Sequence, residues 1–165
     1  MNKNLAFDFS VDKANKTISI KREFAAVVSL VWDAYTKPEI LDLWWAPKPW
    51  KTRTKTMDFR EGGHWHYAMV GPEGEEHFAW VSYIKIHNQK RFTGLDAFAD
   101  ADGNINHELP QSNWEVELTE KGAMTLVEFH ISFDDLAQLE ATIQMGFKEG
   151  FTSALGNLDH YLETQ

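Results

Sequence analysis

A carboxyl group placed among aromatic rings by the two-residue period of a strand is a candidate acid, base or hydrogen-bond acceptor. One position fits: Asp96 falls between Phe92 and Phe98 at that period. Ser82 follows Phe78 and Trp80 in the same way, and Arg22 follows Ile18 and Ile20. Any of the three, if buried, needs a partner, because an unpaired buried charge costs several kcal/mol. Asp96 and Ser82 bonding one another is one arrangement; Asp96 facing water is the other. His64, His66 and His77 offer imidazoles that zinc accepts, but they are expected on the sheet face opposite the aromatic set. No carboxylate is clearly placed to orient the rings. Neither a metal nor a cofactor is expected. The chain has no Gly-x-Ser-x-Gly elbow, no His-Glu-x-x-His and no phosphate loop, so no catalytic residue is assigned.

The most informative stretch runs from Thr36 to Trp50, where Trp44, Trp45 and Trp50 lie within seven residues among Pro38, Pro47 and Pro49. No single helix stripe buries three indoles so spaced. Each has a large apolar body and one N–H that needs an acceptor when buried. Such a cluster suits the rim of a cavity.

The elements that position these residues follow from periodicity. Phe7, Phe9 and Val11 alternate ahead of a turn at residues 12–15, and Ile18 and Ile20 alternate after it, predicting a hairpin with Phe9 opposite Ile18. Ser29 is the expected N-cap of a first helix, and Pro38 opens a second that runs to about Trp45. Folding the chain at Gly71-Pro72-Glu73-Gly74 sets Trp65 opposite Trp80, Tyr67 opposite Phe78 and Met69 opposite Glu76. That register leaves His64 and His66 outside, with His77 diagonally near. A strand is expected over residues 91–98, with Ile86 opposite Phe92 across the preceding turn, then a polar loop to Gln111. A last hairpin puts Trp114 across from Phe129. Residues 135–162 read as one proline-free helix that Asp134 or Asp135 can cap, its apolar positions including Phe147, Phe151, Leu155 and Leu158. Gly146, Gly150 and Gly156 weaken that helix by roughly 1 kcal/mol each relative to alanine. They leave either room beside it or close contact with the sheet.

Composition narrows the function classes. A net charge of −9 repels phosphate backbones and anionic lipid, so neither nucleic acid nor membrane insertion is expected. Cysteine is absent, which excludes disulfides and thiolate chemistry and agrees with a cytoplasmic setting. Aromatic residues make up 13% of the chain, enough apolar area to offset chain entropy, so an ordered domain spanning 1–165 is expected.

Several groups of residues together resemble the family of the activator of heat-shock-protein-90 ATPase homologue: Val31-Trp32-Asp33-Ala34-Tyr35-Thr36, Pro38-Glu39-Ile40-Leu41, Trp44-Trp45 with Pro47, Gly62-Gly63, Gly71-Pro72 with Gly74, and Gly146-Phe147 with Gly150-Phe151. The resemblance covers nearly the whole chain. It implies the START-like (SRPBCC) α+β helix-grip fold: a curved antiparallel sheet and two short helices around a long C-terminal helix, with an apolar cavity between. Ala26-Val27 stands where many relatives carry Ala-Pro. The separate amino-terminal domain of the eukaryotic co-chaperone is not expected here, which argues against the co-chaperone activity itself, and the family supplies no shared catalytic constellation.

The expected function is therefore binding of an apolar or aromatic small molecule, lipid or polyketide-like, between sheet and C-terminal helix. The strands would contribute Trp65, Tyr67, Met69, Phe78 and Trp80, with Ser82 as a polar group. Phe92, Asp96, Phe98, Trp114 and Phe129 continue that wall; Trp44, Trp45, Phe147 and Phe151 close it. Two other classes remain: a cyclase- or hydrolase-like enzyme using Asp96, Arg22 or a cavity histidine, and a module with a chaperone as protein partner.

Overall fold

The computed structural model describes residues 5–165. The chain begins with the strands β1 (Phe7–Asp12) and β2 (Thr17–Phe24), followed by the helices α1 (Val28–Thr36) and α2 (Pro38–Trp44). Six further strands come next: β3 (Lys51–Asp58), β4 (His64–Val70), β5 (Glu76–His87), β6 (Arg91–Ala99), β7 (Ser112–Lys121) and β8 (Met124–Ser132). The helices α3 (Leu136–Gln144) and α4 (Phe147–Glu163) complete the fold. All eight strands form one antiparallel sheet in the order β1-β2-β8-β7-β6-β5-β4-β3. This curved sheet carries the helices on its inner face, the α+β helix-grip arrangement expected. Leu155 and Leu158 of α4 are fully buried in a core with Ile20, Val127 and Phe129 of the sheet. Among the described residues no helix is long and apolar enough to cross a membrane.

Four expectations are corrected. The terminal helix is broken: Gly146 has φ 86° and separates α3 from α4. Its N–H and that of Met145 close the end of α3 on the Ile143 and Ala141 carbonyls, a left-handed stop that glycine favours. An added Cβ would meet nothing nearer than 4.0 Å, so any penalty there is conformational. Gly146→Ala is expected to lower stability by about 1 kcal/mol in a urea titration; a more stable variant would show that the two helices fuse instead.

Ser29 does not cap α1. Val27, extended and without a side-chain bond, holds that position. Asp135 does cap α3, accepting from the Gln138 N–H at 2.8 Å. The strand β3 was not expected. Its Lys-Thr-Arg-Thr-Lys run is polar on both faces, as suits an edge strand paired only to β4.

The fourth correction concerns register. In the first and last hairpins the pairing lies two residues from expectation, with Phe9 opposite Ile20 and Trp114 opposite Ile131, so every side chain keeps its face. Between β4 and β5 the shift is one residue. Trp65 pairs with Val81, His66 with Trp80, Tyr67 with Ala79 and Ala68 with Phe78. A one-residue shift exchanges faces. The turn takes five residues because the Gly71 N–H bonds the Glu75 carbonyl at 2.8 Å. A bulge between Tyr83 and Lys85 then restores the expected pairing of Ile86 with Phe92.

Candidate functional site

The indoles of the Trp44–Trp45 segment are anchored before any cavity is formed. Trp44 donates its Nε1–H to the Ala34 carbonyl at 2.9 Å and packs edge-on to Tyr35. Asn157 of α4 donates to the Ala46 carbonyl at 2.9 Å, tying the segment to the helix. Asp42 accepts from the N–H and hydroxyl of Thr54, whose oxygen in turn accepts from the Trp65 indole at 3.0 Å. These bonds fix Trp45 over the sheet. Its ring meets Trp65, Trp114 and Phe151 with centroids 5.5, 6.2 and 5.9 Å away, the tilted and edge-on geometries that aromatic quadrupoles favour.

Below Trp45 lies a cavity of about 270 Å³ between the sheet, α3 and α4. Tyr67, Met69 and Phe98 form part of the sheet wall, and Phe147, Gly150 and Phe151 the helix wall. A smaller space of about 40 Å³ continues inward, bounded by Trp65, Val81, Tyr83, Phe92 and Phe129. Trp45, Asp96 and Trp114 border both.

Polar groups in this wall are few. Tyr67 accepts the Trp45 indole N–H at 3.0 Å, and Ser112 accepts that of Trp114 at 3.0 Å. Each hydroxyl thereby keeps its own proton for another acceptor. Asp96 makes no hydrogen bond or ion pair among the described residues. Its side chain is only partly exposed and borders both spaces. Burial accordingly pushes its pKa up to about 7. The Tyr67 hydroxyl is raised well above its usual value by burial first and by the Asp96 charge second.

The structure separates residues that the sequence pattern grouped. Trp80 and Ser82 lie on the outer face, where the Trp80 indole donates to the Ser82 hydroxyl at 3.1 Å and its ring stacks on His64 at 4.4 Å. Ser82 is therefore no partner for Asp96. The loop after β6 covers this outer cluster: the Asp100 carbonyl meets His66 at 2.9 Å, and a Cβ on Gly103 would come 3.0 Å from the Trp80 ring. Trp44 is core and borders neither space. Phe78 borders the cavity while its ring also meets His66 at 5.5 Å. His77 moves the other way, to the cavity wall beside Trp50, so the three histidines do not converge. Arg22 borders neither space either; it is paired with Asp159 of α4. Sequence reasoning missed Ser112, Tyr83 and His77. The hydroxyl-to-indole spacing Ser112-x-Trp114 was a usable signal for the first; the other two depended on the turn length and the bulge.

An incomplete sheet gripping its C-terminal helix around an apolar space defines the START-like, helix-grip class. The family model described as Activator of Hsp90 ATPase homolog 1-like protein matches residues 25–163, and the chain belongs to that family. A Mycobacterium smegmatis protein of known structure is similar at 31% identity, over 96% of both chains, with a TM-score of 0.87. A protein from Arthrobacter aurescens is 28% identical over 96% of this chain and 92% of its own, with a TM-score of 0.90. The Silicibacter pomeroyi AHSA1 protein, 19% identical, covers 90% of this chain and 98% of its own at a TM-score of 0.70, a likeness of fold alone. Among curated proteins none matches.

Proposed function

We propose that this chain binds a compact apolar or aromatic small molecule in the cavity under Trp45. One observation carries the reading: a space of about 270 Å³ walled largely by aromatic rings beside the buried core. An engineered apolar cavity of about 150 Å³ already admits benzene, and pockets for larger ligands run to about 1,000 Å³. The volume thus favours a body of one or two fused rings over an extended lipid. Burial of the ligand's apolar surface, at roughly 25 cal/mol per Å², supplies the affinity.

The helix glycine at the wall provides the test. An added Cβ at Gly150 would meet only Pro47 at 3.7 Å, an ordinary contact, so a longer side chain there has the cavity to enter. Gly150→Leu is expected to gain about 1 kcal/mol in helix propensity while weakening binding of a bicyclic hydrocarbon such as ethylnaphthalene about tenfold or more. Tryptophan fluorescence titration reads the binding and thermal melting the stability. Undiminished binding by this variant would sink the cavity reading.

Proton transfer by Asp96 is the second reading, favoured by a carboxyl that titrates near neutrality beside the space where a substrate would sit. It requires a bound molecule to leave chemically changed, which mass spectrometry of the released ligand decides. The family description concerns activation of a chaperone ATPase. We rank a chaperone partner behind both, because β7 and β8 turn Glu115, Glu117 and Glu128 outward instead of an apolar strip.

A further inference from the structure

We propose that the ligand is a cationic amine on a compact apolar body, its ammonium group held by the Asp96 carboxylate between the Trp45, Trp114 and Tyr67 rings. This rests on the cavity reading above and adds the chemistry of the guest. Three observations carry it. Asp96 borders both spaces and has no hydrogen-bond or ionic partner among the described residues. An acceptor left open in an otherwise apolar wall is the orienting group that small-molecule sites use. Among the described residues, no lysine or arginine borders either space. A fatty acid or other anion would therefore meet Asp96 with no lysine or arginine beside it, and the net charge of −9 opposes its approach as well. Finally, the wall is rich in π faces, with Trp45 and Trp114 6.2 Å apart and Phe147 and Phe151 stacked at 5.3 Å. Such faces attract cations and repel anions.

The other titratable groups facing this space are Tyr35 of α1, Tyr67 of β4, and His77 and Tyr83 of β5; α2, β7, β8, α3 and α4 contribute none. Burial raises the free Asp96 carboxyl to about 7. An ammonium ion selects the ionised form, so amine binding releases a proton wherever Asp96 is still protonated. Affinity for the amine rises about tenfold per pH unit below that pKa and levels off above it; affinity for a neutral guest does not rise.

The experiment titrates the intact chain with naphthylmethylamine, ethylnaphthalene and naphthylacetate, by tryptophan fluorescence and calorimetry, from mildly acidic to mildly alkaline pH. At alkaline pH the amine is expected to bind about tenfold or more tightly than the hydrocarbon, and the acid least. Asp96→Asn should abolish the amine's advantage over the hydrocarbon and its pH dependence. Equal or weaker binding of the amine, or a preference that survives Asp96→Asn, overturns the amine inference and leaves the cavity reading standing. If none of the three compounds binds, the cavity reading falls and the inference with it.

Discussion

In alkaline buffer the Asp96→Asn variant melts higher than the parent chain, and at about pH 4 the two melt nearly together. The reasoning is one of linkage. Folding raises the Asp96 pKa from 3.8 to about 7 because burial disfavours the charged form. Between those values the native state holds a proton that the unfolded chain has released. Stability from this group is therefore complete below the unfolded value and is lost as pH climbs through the folded one. At roughly 1.4 kcal/mol per unit, a rise from 3.8 to about 7 means that the parent gives up on the order of 4 kcal/mol by alkaline pH. Asparagine, which does not titrate, keeps that stability. For a chain of this size the difference is about 8–16 °C in Tm, read by calorimetry across the pH series. Parallel pH profiles for parent and variant would show that Asp96 has a solution partner that stabilises its charge. A group that weakens the free protein at neutral pH, and faces an open cavity, is placed for a ligand.

The second large effect concerns the opposite end of the helix. Arg22 of β2 and Asp159 of α4 form an ion pair whose side chains are only 10% and 16% exposed. The guanidinium also lies over the Phe24 and Phe7 rings, 4.9 and 5.6 Å from their centroids. Little water reaches this pair, so removing one partner leaves the other charge stranded. Arg22→Met alone is expected to cost about 3–5 kcal/mol. Arg22→Met with Asp159→Leu should recover most of that loss, because two apolar side chains replace two desolvated charges. Urea denaturation of the four proteins in the cycle measures both effects. A single substitution costing under about 1 kcal/mol, or a double variant no better than the single, would mean that solvent reaches the pair. Among the described residues, Arg22 Nε and the Tyr35 hydroxyl are buried here without a hydrogen-bond partner. Replacing Arg22 removes one of these unsatisfied donors, which offsets a part of the loss.

Particular residues show where the sequence was legible. Pro38 at the start of α2, the Asp135 cap and the alternation of Trp114, Val116 and Leu118 are local signals, and each element they mark is present. Two hairpins slipped by two residues without harm, since a period of two keeps the inner face inner. The β4–β5 pair slipped by one, and Trp80 and Ser82 left the expected site. An indole suits a covered outer face as well as a core, and the covering loop is remote in sequence. Gly146 was read as a cost inside one helix. Its left-handed backbone, which only the surrounding packing selects, made it the division between two.

Sequence alone determined the sheet-and-helix architecture and the aromatic wealth of the interior, because these follow from short-range periodicity and local caps; the family showed through motif resemblance, as at Trp44-Trp45 and Gly146-Phe147. Tertiary structure decided the rest: which aromatics enclose space, that Asp96 faces it without a partner, and that Arg22 does not. Those outcomes depend on a five-residue turn, one bulge and the meeting of segments more than a hundred residues apart, such as Arg22 with Asp159. No local pattern encodes such distances, since they are set by how the whole chain closes on itself.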